Sequence, residues 1–197
     1  MRKNIRIWLW SIAAIITLAA LGYYFANKIF VPENFTEARI KSSEIAKEIV
    51  SLIGQSVKNL EIINFQDRHN NLKTALQLVQ KELEESKKFR DKALELNTEL
   101  GLMTIATTAI TPTKARNLAL ESISHELNLV SRLVNYNALL NALLQTLEFK
   151  FSKSIGSDAD DVQKLIKNMN EEAKEINKLN NLFNQKMEEF DKLTSSD

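Results

Sequence analysis

The sequence predicts an all-α protein: one N-terminal transmembrane helix followed by an elongated antiparallel, up-down four-helix bundle. Three observations lead there. From Ile7 to Asn27 there is no charged residue. The 197 residues hold only four Gly and two Pro, which leaves few places for loops. Between the breaks, apolar residues recur at spacings of three and four, the pattern of helices packed on helices. An alternative fuses the first two outer helices into one very long helix, with a helical hairpin packed back on it.

Residues 7–28 form the anchor. At 1.5 Å per residue an uncharged helix of this length covers about 30 Å, the thickness of a hydrocarbon core. Trp8 and Trp10 near one end, and Tyr23 and Tyr24 near the other, match the aromatic belts at the two membrane interfaces. Arg2, Lys3 and Arg6 precede the stretch and only Lys28 follows closely, so residues 1–6 stay cytoplasmic and the rest of the chain lies outside. A cleaved signal peptide is the rival reading. It is disfavoured by an apolar run longer than the usual ~7–15 residues. Its best cleavage motif, Ala20-Leu21-Gly22, is followed directly by bulky aromatics.

A linker, 29–34, leads to the bundle, 35–194, with helices at about 35–66, 70–105, 112–153 and 158–193. Asn34 with Glu37 resembles a capping box for the first. The polar run Gln66–Asn71 holds no Gly or Pro, but its asparagines suit a turn. Thr111 and Pro112 fit N-cap and N1 of the third helix, and Ser157 with Asp160 caps the fourth. The second helix shows two apolar registers, Leu72-Leu76-Val79-Leu83 and then Phe89-Ala93-Leu96-Leu100-Met103. The third is the most apolar and is expected to be buried nearly all round, with Leu140, Leu144 and Leu147 in the core. Its Arg132, Asn135, Asn137, Asn141 and Glu148 argue against a second membrane span. In the fourth, the seam runs Val162, Ile166, Met169, Ala173, Ile176, Asn180, Phe183, Met187, Phe190. The up-down order places the uncharged stretch Leu100–Thr113 at the anchor side; the fused helix would put it about 110 Å out.

This layout, a span followed by four long helices of similar length, resembles the ligand-binding module of bacterial chemoreceptors. The likeness covers the outer region as architecture and rests on no motif. No residues here match the arginines with which the amino-acid-sensing members hold ligands. A second span and a cytoplasmic signalling domain are missing from the pattern.

The chemistry is sparse. Lys plus Arg is 26 and Asp plus Glu is 25, a balance that gives no long-range field for nucleic acid. With zero cysteines, thiol nucleophiles and thiolate metal sites are excluded. There is no Gly-rich phosphate loop, nucleophile elbow or paired zinc-histidine motif. Glu121 and His125 share a helical face without the further acids that a carboxylate-bridged bundle uses. The sequence thus points to no catalytic residue, no cofactor and no metal. What stands out is polar residues where apolar ones belong. Asn137, Asn141 and Asn180 are candidates for fixing register or lining a polar cavity. The expected role is a membrane-anchored structural or protein-interaction module. Its partners are the lipid bilayer and another membrane or envelope protein, or a second copy; nucleic acid is not expected. The alternative is a ligand-binding sensor subunit that signals through a partner membrane protein.

Overall fold

The computed structural model describes residues 29–153 and 159–195. The stretch 7–28, with Trp8, Trp10, Tyr23 and Tyr24, lies outside the described residues, as does Ser157. Helix α1 is Glu33–Arg68. Pro32 holds the chain extended before it, and the Pro32 carbonyl accepts from the N–H groups of Phe35 and Thr36 at 3.1 and 3.4 Å. The Asn34–Glu37 capping box therefore does not form, because Asn34 is already inside the helix. Asn70 takes φ 58°, the left-handed region that asparagine tolerates, and α1 stops there. Asn71 donates from its backbone to the Gln66 carbonyl and from its side chain to Gln66 Oε1, both at 2.9 Å. The chain thus turns at 69–71, after Gln66, Asp67 and Arg68 have completed α1, and α2, Leu72–Ala106, is a separate helix rather than a continuation of α1.

A 3₁₀ turn, Thr107–Ala109, follows α2, and α3 is Thr113–Lys153. The Pro112 carbonyl accepts the Arg116 N–H at 3.2 Å. Pro112 itself therefore stands at the position expected of Thr111, one residue later in the chain. Helix α4, Ala159–Thr194, carries Asp160 and Asp161 in its first turn, where they complement the helix dipole. The four helices have 36, 35, 41 and 36 residues, about 52–62 Å each.

They pack as a helical bundle in chain order: α1 on α2, α2 on α3, α3 on α4. Paired residues run in opposite senses. In α1 and α2, Ser42 meets Met103 and Ser56 meets Glu82. In α2 and α3, Gln80 meets Glu148 and Phe89 meets Tyr136. In α3 and α4, Ser122 meets Phe183 and Arg132 meets Glu172. One end, called near, holds Phe30 and Thr111, which exchange two backbone hydrogen bonds of 3.0 Å. The far end holds the 69–71 turn. The near half of the core is built on Phe35, Ile49, Leu96, Leu100, Met103, Ile123 and Phe190, the far half on Ile63, Val79, Tyr136, Leu140, Leu144 and Met169.

Helix α2 has one register, not two. From Ala75 to Met103 its buried positions, Ala75, Val79, Glu82, Ser86, Phe89, Ala93, Leu96, Leu100 and Met103, alternate by fours and threes, and Ala106 follows three further on. Two of them are polar, so a pattern of apolar residues alone breaks in the middle. Helix α3 is not buried all round either. Its extended packing is on α2 and α4, and it leaves Ser131, Arg132, Asn135 and Phe149 exposed. Among the described residues no helix is long and apolar enough to cross a membrane, α3 included.

Gly54 and Gly101 lie inside α1 and α2, where a methyl group would meet no heavy atom within 4 Å. Glycine costs helix stability through backbone entropy. Gly54→Ala is therefore expected to stabilise the bundle by about 0.5–1 kcal/mol in a urea melt. A loss of stability would show that the backbone at Gly54 is needed for something other than helix.

Candidate functional site

The seam that would close the bundle, between α1 and α4, lacks the extended contact of the other three. At the near end it is shut by the Phe35–Phe190 ring pair, with centroids 5.5 Å apart, and by Arg39, which donates two hydrogen bonds to Asp191 at 2.6 and 2.7 Å. Further out it opens into a groove. A first widening of about 420 Å³ is lined by Ser43 and Lys47 of α1, Met103 of α2, Glu126 of α3, and Asn180 and Phe183 of α4. A second, about 720 Å³, lies at the far end, with Leu60, Tyr136, Leu143, Leu147, Phe151 and Val162 among its walls. Lys150 of α3 reaches Asp67 of α1 at 2.6 Å and bounds the groove there. Val57 and Ile166, which also line this widening, are 43% and 45% exposed, and Phe65 and Phe149 at the same end of the bundle are more so.

The opening explains where α4 departs from its expected seam. Ile166 and Asn180 face the groove and are exposed, whereas Leu165 and Leu179 beside them are half-buried. With α1 standing off, α4 turns its apolar stripe toward α3 and leaves one edge uncovered. Leu147, expected in the core, is a half-buried wall of the same groove.

Asn137 and Asn141 belong elsewhere, to a buried polar layer across α1, α2 and α3. Glu82 is 1% exposed and accepts from Ser56 Oγ and, at 2.5 Å, from Asn59 Nδ2. Ser86 Oγ lies 2.8 Å from Asn141 Oδ1, and Asn141 Nδ2 donates to the Asn137 carbonyl at 2.9 Å. Asn137 Oδ1 is buried without a partner among the described residues. Tyr136 borders this layer, and its hydroxyl pKa is raised, first by burial and then by the Glu82 charge. The structure therefore joins two of the three asparagines and sets Asn180 apart on the groove. Buried hydrogen-bonded layers of this kind are costly to break because each orphaned group stays desolvated. Ser56→Ala should cost about 1–3 kcal/mol in a denaturant melt. A change below about 0.5 kcal/mol would mean that Glu82 does not depend on this donor.

Glu126, which no sequence motif marks, has unusual surroundings. Glu126 is 6% exposed, its Oε2 has no hydrogen-bond partner among the described residues, and it borders the groove. Burial pushes its carboxyl up to about 7. Glu126 follows Ala119, Ser122 and Ile123 at helical spacing and precedes Leu129 and Val130, all of them buried. A charged residue at a seam position is the signal that would have found both it and Glu82. Glu121 has an ordinary partner, Lys186 at 3.4 Å, and in the far turn His69 Nδ1 lies 2.8 Å from the Phe65 carbonyl.

Comparison of the chain with protein-family models, with curated proteins and with solved structures finds no match. The likeness in layout to chemoreceptor modules thus brings no family with it, and function has to be argued from the groove.

Proposed function

We propose that this protein is a membrane-anchored, extracytoplasmic, up-down four-helix bundle that works as a protein-interaction module, its α1–α4 groove receiving an apolar helix of a partner membrane or envelope protein. The observation that carries this reading is the open seam. Three helix pairs are closed and the fourth is parted over an apolar floor, so a fifth helix has a place to lie. Helix-in-groove binding is driven by apolar anchors spaced along one helical face. Exposed apolar side chains on the far part of the bundle, Val57, Phe65, Phe149 and Ile166, suit such a partner. The uncharged stretch 7–27 and the charges around it support the anchor and the outward orientation of the bundle.

A ligand-binding sensor is the second reading, and Glu126 is the observation that favours it, since a buried carboxyl facing a cavity is a feature of small-molecule sites. Paired variants separate the two. Val57→Glu with Ile166→Glu places charges on already exposed positions of the far groove. This variant is expected to abolish partner association in a co-purification from membranes while leaving the melt unchanged. Glu126→Gln should leave association intact. The reverse pattern would favour the sensor.

A further inference from the structure

We infer that the near end of the bundle, the α2–α3 connector with Phe30, Leu102 and Ile105, is seated in the headgroup–acyl boundary of the bilayer. The inference rests on the anchored reading and adds a second lipid contact to it.

Position comes first. Phe30 pairs with Thr111 through both backbone hydrogen bonds, and Phe30 stands three positions after Asn27, the last of the uncharged stretch. Three residues reach at most about 11 Å. The connector is therefore tied close to the end of that stretch, whatever the linker does.

Composition comes second. The two ends of the bundle differ sharply. The far turn reads Gln-Asp-Arg-His-Asn-Asn, as a solvated turn should. The near connector holds no charge from Leu100 to Thr113. Its Phe30, Leu102 and Ile105 are 54%, 49% and 69% exposed. Lys114, just after the run, is exposed and placed to meet lipid phosphates.

The hydrogen bonds come third. A segment that enters lipid must satisfy its polar groups internally. Thr104, Thr107 and Thr108 each donate the side-chain hydroxyl back to a carbonyl of the same segment, at 2.8, 2.7 and 2.9 Å. The Ile110 N–H goes to the Thr107 carbonyl at 3.0 Å, and the backbone of Thr111 is paired with Phe30. The three threonine hydroxyls are thus paired within the segment, as an interfacial segment needs.

The chain has no cysteine, so single labels can be placed cleanly. The full chain carrying Ile105→Cys, Asn70→Cys or Ala14→Cys, each with an environment-sensitive fluorophore, is reconstituted in vesicles of three parts phosphatidylcholine to one part phosphatidylglycerol, with and without nitroxide-bearing lipid. The labels at 105 and 14 are expected to lose most of their emission to the nitroxide, and the label at 70 almost none. Quenching at 14 with none at 105 would overturn the inference and leave the anchor standing. No quenching at 14 would overturn the anchored reading and the inference with it.

Discussion

Glu126→Gln is expected to make the bundle more stable at pH 8 and nearly neutral in effect at pH 4. The free glutamate range lies near 4.5, and burial raises this carboxyl to about 7 in the folded chain. The folded state therefore holds a proton that the unfolded state has released between those values. Stability is full below pH 4.5, falls as pH rises to 7, and is level above that. The difference corresponds to about 3 kcal/mol. Few charged groups face this carboxyl. From α1 the groove receives Lys47 and Arg39, the latter committed to Asp191; from α2 it receives Leu100 and Met103, and from α4 only amides and apolar groups such as Asn180, Asn184 and Phe183. Glutamine keeps the shape and removes the titration. Melts of both proteins across the pH range should therefore meet in acid and separate by up to about 3 kcal/mol in base. Parallel curves would show that Glu126 ionises without penalty.

Leu144→Ala is expected to cost about 2–5 kcal/mol. Leu144 is fully buried in α3 and belongs to the far half of the core with Ile63, Val79, Tyr136, Leu140 and Met169. Shortening it forfeits the transfer free energy of three carbons and leaves a void that helices α2 and α4 close only in part. Lys174→Ala on the exposed face of α4 should change stability by less than about 0.5 kcal/mol. Leu147, half-buried on the groove wall, should fall between them. Chemical denaturation followed by far-UV circular dichroism gives all three values. Equal losses at 144 and 174 would mean the buried and exposed faces are exchanged.

Much of the fold was legible in the residues because the breaks are chemically distinct. Asn70 marks a turn by its tolerance of positive φ, and Pro112 marks the start of α3 by its fixed backbone. Helix bounds agree with the sequence reading to within three residues at every described end. The register of α2 was not legible from apolar spacing, because Glu82 and Ser86 occupy seam positions and only their partners Ser56, Asn59 and Asn141 reveal that they are buried. The groove was not legible either. A heptad stripe assumes neighbours on both sides, and no local pattern in α4 says that α1 stands away from it. Ile166 and Asn180 look like seam residues in the sequence and are rim residues in the fold. Asn137 is buried and Asn141 half-buried, with the Asn141 amide donating to the Asn137 carbonyl, while Glu126 looks like an ordinary charge in the sequence and is buried in the fold.

Docking of a partner in the parted α1–α4 seam can be read out by photo-crosslinking in intact cells. A photoreactive side chain is placed at Asn64 or Gln163, exposed positions lining the far groove, and at Gln77, an exposed position of α2 outside it. One discrete membrane-associated adduct is expected, shared by positions 64 and 163, absent at 77, and lost when Val57→Glu and Ile166→Glu are introduced. Adducts of equal yield at all three positions, or none at 64 and 163, would contradict it.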